Sequence, residues 1–212
     1  LHNDELLAID AESGKAAAIR TVQGQRIAAD FIGIGMGLGR DTAWLSGSGV
    51  ACGALGVRVN ECLETSVTGI FAAGDAIELA DPLTGRTRMF GNWVHAIVSG
   101  KLAGANAARP RQQEMHDHIS AYSIQHFGYS LAVLGDARPA PGVVAVAALN
   151  QGAKRYARFF IKGGRLVGAV LINRNRDQGQ LVKLMQSRTA IPDAEERLAR
   201  PETDIAALVA NT

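Results

Sequence analysis

The stretch that decides the fold is Thr65-Ser66-Val67-Thr68-Gly69-Ile70-Phe71-Ala72-Ala73-Gly74-Asp75. Its apolar run, residues 70–73, lies next to glycines and predicts a short strand that is buried on both faces. Gly74 allows a sharp bend and a close backbone approach because it has no Cβ. Asp75 is then expected just outside the carboxyl end of a parallel strand, where open α/β sheets bind ligands. An ionised aspartate accepts hydrogen bonds, so it suits the hydroxyls of a ribitol or ribose; an ordinary strand-to-loop turn is the alternative.

The whole eleven-residue pattern resembles the second FAD-binding motif of the FAD- and NAD(P)H-dependent pyridine nucleotide oxidoreductases. That motif has Thr, variable residues, an apolar pair and then Ala-x-Gly-Asp. The matching residues here are Thr65, Ile70, Phe71, Ala72, Ala73, Gly74 and Asp75. The resemblance implies that Asp75 binds the flavin ribitol and that Gly74 permits its approach. It also implies FAD as a cofactor, for which this chain has a half-site only, and NAD(P)H as a cofactor of the parent protein.

Composition excludes several classes of protein. The 212 residues include 22 Lys and Arg and 20 Asp and Glu, and a net charge of +2 does not favour nucleic acid. Cys52 and Cys62 form no C-x-x-C pair, which predicts neither a disulfide framework nor a zinc site and fits a reducing cytoplasm. No apolar run reaches the roughly 18 residues of a membrane span. The chain is therefore expected to be globular and cytoplasmic, and its opening at Leu1 is typical of a fragment.

The first forty residues predict a small antiparallel meander. Residues 6–10 and 16–22 are strand-like runs separated by the turn signal of residues 12–15, and residues 26–30 lead into an apolar run, 31–35, expected to be a buried strand. In the family, a similar meander forms the end of the NAD(P)H-binding domain. The fingerprint G-x-G-x-x-G fails here, since Leu38 and Arg40 stand where its third glycine would be. By the resemblance, the phosphate-binding glycine loops lie upstream of Leu1.

The segment after the Gly-Asp bend predicts a helix. Its apolar and small residues recur at helical spacing, namely Trp93, Ala96, Ile97, Gly100 and Gly104. Trp93 taken alone is equally consistent with a packing aromatic. The family has a similar helix whose N-terminus faces the flavin pyrimidine ring, and the resemblance maps Trp93 and Val94 to that first turn. His95 is interpreted as a packing or outward residue, and no catalytic residue is predicted.

The pattern Arg109-Pro110-Arg111 indicates a domain boundary, and β-rich sequence follows it. Strands are predicted over residues 129–134, 143–149, 156–161 and 166–172, with a hairpin turn at Gly163-Gly164. Helices are predicted over residues 177–188 and 205–209. This α+β region resembles the C-terminal interface domain of the rubredoxin, ferredoxin and nitrite reductase branch through residues 164–169. His116, His118 and His126 are interpreted as surface or boundary residues without a metal.

Together these patterns predict an incomplete α/β FAD/NAD(P)-binding, Rossmann-like portion followed by an α+β C-terminal interface domain. The expected divisions are 1–40, the end of the NAD(P)H-binding domain, 41–108, the C-terminal half of the FAD-binding domain, and 109–212, the interface or dimerisation domain. The resemblance implies an oxidoreductase that passes electrons from NAD(P)H through FAD to a protein or small-molecule acceptor. The chain by itself is expected to be inactive.

The alternative is a structural, dimerising C-terminal domain that binds no cofactor. A homodimer and an electron-acceptor protein are left open as partners. A third hypothesis is an electron-transfer docking module, in which four basic residues attract an acidic acceptor protein. These residues are Arg138, Lys154, Arg155 and Arg158. Scattered basic residues are also typical of an ordinary solvated face.

Overall fold

The computed structural model describes residues 2–35, 37 and 39–210, and it divides into two compact units between Gly39 and Arg40. The first unit is a three-stranded antiparallel sheet in the order β1 (Leu6–Glu12), β2 (Lys15–Thr21) and β3 (Arg26–Ala28). The predicted meander is therefore present, with its first turn at Ser13 and Gly14.

The expected buried strand over residues 31–35 is wrong. Phe31 is 88% exposed and Ile34 is 60% exposed, because residues 31–35 pair with no strand among those that the structure describes. Met36 and Leu38, which belong to the glycine-rich run tested for a dinucleotide fingerprint, lie outside the described residues.

The second unit begins with a small mixed sheet. Its strand β4 (Val57–Arg58) runs parallel to β5 (Ile77–Ala80), which pairs antiparallel with β6 (Thr87–Arg88). The helix α1 (Trp93–Ala108) packs beside this sheet, and together they enclose a small core. That core consists of Leu63, Ile77, Leu79, Phe90 and Ala103.

The strand predicted over residues 70–73 does not form. Phe71 makes one isolated bridge with Glu64, and the Ala72 amide donates to the carbonyl oxygen of Leu63 at 3.1 Å. The chain thus turns back on its own preceding residues instead of joining a parallel neighbour. The parallel strand, β5, comes after Asp75 rather than before it.

The rest of the second unit is a five-stranded antiparallel sheet with three helices. The strands are β7 (Ala121–His126), β8 (Tyr129–Gly135), β9 (Val143–Asn150), β10 (Arg155–Lys162) and β11 (Arg165–Ile172), in the spatial order β7-β8-β11-β10-β9. The helices are α2 (Gln178–Ser187), α3 (Ala194–Ala199) and α4 (Ile205–Ala210). All four predicted strands and the Gly163-Gly164 turn are confirmed, and β7 was missed.

The helices bury one face of this sheet. Phe159 and Leu171 from the strands lie in one cluster with Leu181, Leu184 and Met185 from α2. The apolar spacing of α2 that predicted a helix therefore also selects the face that packs. None of the helices in the described part of the chain is long and apolar enough to cross a membrane.

Candidate cofactor site around Gly74 and Asp75

Gly74 begins a single 3-10 turn, Gly74–Ala76, and its backbone is left-handed at φ +74°. This conformation favours glycine, whereas space alone does not require it, since a Cβ would lie 3.6 Å from the Cβ of Ala96. The Gly74 amide donates to Oγ of Ser99 at 3.0 Å, and that hydroxyl donates to the carbonyl oxygen of His95 at 2.6 Å. The bend is therefore attached to the first two turns of α1.

The two carboxylate oxygens of Asp75 have different surroundings. Oδ2 lies 4.0 Å from a terminal nitrogen of Arg40, whose Nε donates to the carbonyl oxygen of Asp75 at 2.6 Å. Oδ1 is buried and accepts no hydrogen bond from any residue that the structure describes. The Asp75 side chain as a whole is 45% exposed, so a ligand can reach its carboxylate. Oδ1 therefore suits a ligand that brings a donor, and a ribitol hydroxyl is such a donor.

The first turn of α1 begins with two exposed residues and is capped by Asn92. Oδ1 of Asn92 accepts from the His95 amide at 2.9 Å, and its Nδ2 donates to Oγ of Ser120 at 3.1 Å. Trp93 is 80% exposed and Val94 is 44% exposed. No acidic residue lies in this turn to offset the positive end of the helix dipole. The helix start can therefore stabilise negative charge on a ligand.

Buried histidines pack around the His95 ring. That ring stacks on Phe90 with 4.2 Å between centroids, and it lies 5.1 Å from the ring of His116 and 6.5 Å from that of His118. Burial, together with the other two histidines and Arg88, lowers the pKa of His95 to about 4. Burial also lowers the pKa of His116 and of His118. The His95 ring is thus neutral and buried, which agrees with its interpretation as a packing residue.

His116 was interpreted as a surface or boundary residue; it does not lie at the surface, because its side chain is buried against Phe90 and His95. Neither ring nitrogen of His95 or His116 has a hydrogen-bond partner within the described part of the chain. Among the described residues, no group of His, Cys, Asp or Glu side chains is arranged so that it could hold a metal ion.

A buried ionic cluster joins the segment around β6 to the C-terminal sheet. Asp136, whose side chain is 1% exposed, accepts from Arg86 at 2.6 Å and from Nε of Arg138 at 3.1 Å. Arg88 pairs with Asp81 at 2.9 Å in the same cluster. Burial acts to raise the pKa of Asp136, but the hydrogen bonds from Arg86 and Arg138 outweigh it and leave that pKa below its usual value. Charged side chains therefore link the segment around β6 to the C-terminal sheet.

The structure brings together the bend with Gly74 and Asp75 and the helix with Trp93 and Val94. Their roles as cofactor ligands stay predictions. Three further contributors were missed from the sequence, namely Arg40, Asn92 and Ser99. Asn before an apolar periodic segment is an N-cap signal, so Asn92 was within reach. Arg40 and Ser99 form hydrogen bonds with residues that are 35 and 25 positions away in the sequence, and no local pattern indicates such contacts.

Both halves of the chain are similar to known protein families. Residues 1–100 match the family model of the pyridine nucleotide-disulphide oxidoreductases, and residues 122–189 match that of the rubredoxin NAD+ reductase C-terminal domain. The ferredoxin–NAD(+) reductase component of the anthranilate 1,2-dioxygenase system of Burkholderia cepacia is 28% identical over 204 residues, covering 92% of this chain and 46% of that protein. The peroxisomal monodehydroascorbate reductase 4 of Arabidopsis thaliana is 24% identical over 187 residues, covering 88% of this chain and 38% of that protein.

Among solved structures, a ferredoxin reductase from Rhodopseudomonas palustris has a TM-score of 0.80 at 20% identity, covering 97% of this chain and 49% of that one. This likeness confirms the predicted fold class, an FAD/NAD(P)-binding, Rossmann-like portion with a C-terminal α+β region. The chain spans less than half the length of each of these three relatives. The two matched models and the fold confirm the predicted resemblance: residues 1–100 are similar to the pyridine nucleotide-disulphide oxidoreductases, and residues 122–189 are similar to the C-terminal domain of the rubredoxin reductases.

Proposed function

We propose that this chain supplies half of the FAD site of an NAD(P)H-dependent flavoprotein oxidoreductase, which passes electrons to a protein or small-molecule acceptor. The observation that supports it is Oδ1 of Asp75, a buried acceptor to which no described residue donates, beside the exposed start of α1. The family uses FAD and NAD(P)H. Bound FAD would supply the hydride and electron chemistry, and the protein would supply binding and electrostatics.

Each site residue has a distinct part in this proposal. Asp75 accepts a hydrogen bond from a ribitol hydroxyl, and Gly74 adopts the left-handed bend that presents it. Trp93 and Val94 lie at the edge of the flavin ring, where their exposed apolar surface would be covered. The capped start of α1 offsets negative charge on the reduced ring. His95 moves no proton here, because it is buried and neutral.

The chain alone is proposed to bind flavin weakly and to have no activity. The glycine-rich loop that cradles phosphates is missing from its sequence, and that loop with its helix N-terminus supplies much of dinucleotide binding. What remains is a contact to the ribitol and a contact to the ring.

The decisive experiment compares two flavins by equilibrium dialysis. FAD carries the ribitol, whereas lumiflavin lacks it and can contact only the ring surface. The Asp75→Ala variant should bind FAD about tenfold more weakly, the worth of one charge-assisted hydrogen bond. Its affinity for lumiflavin should not change. Glu195→Ala, which removes an exposed carboxylate on α3, is the control and should bind both flavins as the unaltered chain does.

A folded chain that retains neither flavin would contradict the proposal. So would an Asp75→Ala variant that loses FAD and lumiflavin to the same extent, since the carboxylate would then not act through the ribitol.

A second candidate function is a structural, dimerising domain without a cofactor. It is favoured by apolar side chains on the edge strands of the five-stranded sheet, since Tyr122 and Ile124 on β7 and Leu149 on β9 are each about half exposed. Exposed apolar edge strands tend to be covered by a partner. Sedimentation equilibrium would show a dimer that Ile124→Lys converts to a monomer. A chain that is monomeric at every concentration tested would reject this candidate.

The acceptor and the location are also proposals. Lys154, Arg155 and Arg158 make no ion pair with any described residue, whereas Arg138 already bonds to Asp136. The three unpaired cations would attract an acidic acceptor protein, and that association should weaken steeply with salt. A cytoplasmic location is supported only by the two free cysteines, Cys52 and Cys62.

A further inference from the structure

A polar cleft of about 530 Å³ opens at one end of the five-stranded sheet, opposite the Gly163-Gly164 turn. Its lining comes from the ends of β9 and β11, the starts of β8 and β10, the segment before α2, and the loop between α3 and α4. The side chains that matter here are Asn150, Arg155, Asn173, Arg174, Arg176 and Glu202. The cleft lies outside the proposed flavin site.

The floor of the cleft is held rigidly by Asn173. Its backbone is left-handed at φ +54°, a conformation that asparagine tolerates better than most residues. Its side chain accepts from the Ser130 amide at 3.0 Å and donates to the carbonyl oxygen of Lys154 at 2.9 Å. These two bonds fix three strand ends relative to one another, so the cleft exists before any ligand binds.

The side chain of Arg174 is largely buried. Its side chain is 8% exposed, its Nε donates to Asp177 at 2.6 Å, and its guanidinium lies 5.9 Å from the centre of the Phe159 ring. Its terminal N–H groups meet no acceptor among the described residues. A guanidinium held in this way presents a fixed fork of donors, which suits planar or tetrahedral oxyanions.

The charges that line the cleft are not balanced. Arg155 and Arg176 pair with no carboxylate in the described part of the chain. The two lining carboxylates are already engaged, since Asp177 accepts from Arg174 and Glu202 accepts from Asn150 at 2.7 Å. Three guanidinium groups therefore face the cleft against two occupied carboxylates, which leaves one net positive charge. Because no aromatic side chain lines the cleft, recognition would depend on charge and hydrogen bonds.

We propose that this cleft binds a small multivalent oxyanion of the phosphate class. The volume lies within the range of small-molecule sites. Arg174 provides the fixed fork, and Arg155 and Arg176 close on the anion from the more exposed sides. This site does not depend on the flavin proposal, because it shares no residue with it.

The test is calorimetric titration with pyrophosphate at a constant ionic strength of about 150 mM, balanced with sodium chloride so that general screening stays the same. We expect saturable binding of one pyrophosphate per chain. Arg176→Gln should weaken it about tenfold, as loss of one charge-assisted contact predicts. Arg165→Gln is the matched control, because Arg165 is exposed at the other end of β11 and should have no effect.

Two further titrations sharpen the result. Glu202→Gln keeps an oxygen that can accept from Asn150 but removes a negative charge, so it should tighten pyrophosphate binding severalfold. Tricarballylate, a carboxylate of similar charge, should bind more weakly than pyrophosphate. The proposal is overturned if pyrophosphate does not bind, if Arg176→Gln and Arg165→Gln weaken it equally, or if tricarballylate binds as tightly. Arg155→Gln repeats the test should Arg176→Gln fail to fold.

Discussion

The second unit contains two regions that are stabilised in different ways. In residues 119–210, three helices cover one face of a five-stranded sheet and enclose a broad core around Phe159 and Leu184. In residues 40–108, a short mixed sheet and α1 enclose only a small core around Ile77, while Trp93 stays exposed. The first region buries one face of its sheet under its own helices. The second leaves apolar surface open at the place where its candidate ligand contacts lie.

The largest effect that separates the two regions should come from their apolar side chains. Leu184→Ala empties a fully buried position and should lower the free energy of unfolding by about 4 kcal/mol. Ile97→Ala removes a side chain that is 42% exposed on α1 and should cost less than about 1 kcal/mol. Urea unfolding of both variants measures the difference. Equal losses would mean that the region around α1 is as well packed as the C-terminal core.

The next effect concerns charge. Asp136→Asn removes the carboxylate that pairs with Arg86 in a largely buried cluster and leaves Arg88 with Asp81 alone, so it should cost about 3 kcal/mol. Asp117→Asn is the matched control, since Asp117 pairs with Arg188 at the surface and should cost less than about 1 kcal/mol. A cost for Asp136→Asn no greater than that for Asp117→Asn would show that the cluster does not hold the two regions together.

The region around α1 should also depend on pH through His95. The unfolded imidazole binds a proton near its ordinary pKa of 6.5, whereas the folded ring does so only near 4. The contribution of the neutral His95 ring to the free energy of unfolding is therefore fully present above pH 6.5. The free energy of unfolding should fall by up to about 3 kcal/mol as the pH is lowered from 6.5 to 4. His95→Phe should remove this part of the slope in unfolding measurements across that range. His126→Gln, at an exposed histidine, should leave the slope intact.

The smallest effect should come from the helix cap. Asn92→Ala removes the acceptor for the His95 amide and should cost about 1 kcal/mol. Asn92→Ser retains a capping oxygen and should recover most of that loss. Thermal unfolding followed by circular dichroism distinguishes the two. If serine is no better than alanine, the bond from Nδ2 to Ser120 matters more than the cap.

Sequence patterns predicted the C-terminal region well because its determinants are local. The apolar runs of β9, β10 and β11 and the Gly163-Gly164 turn define hairpins between neighbours in the chain. Residues 70–73 were wrongly predicted to form a strand. A strand needs a partner strand to pair with, and the residues of this segment do not specify one. The strand β7 was missed because it has only two large apolar residues, Tyr122 and Ile124, and their alternation with polar residues is too short to stand out. The burial of His116 results from packing against α1, which its own sequence context does not indicate.

The strand order β7-β8-β11-β10-β9 also has a consequence for the time course of folding. The pairs β7–β8, β9–β10 and β10–β11 join strands that follow one another, so each can form as a hairpin within microseconds. The central pair is different, since Leu131 of β8 lies opposite Ile172 of β11 across some forty residues of chain. That loop must close before the two halves of the sheet can meet. We expect this closure to set the folding rate. The meander of β9 to β11 would form first, and the hairpin of β7 and β8 would pair with it afterwards.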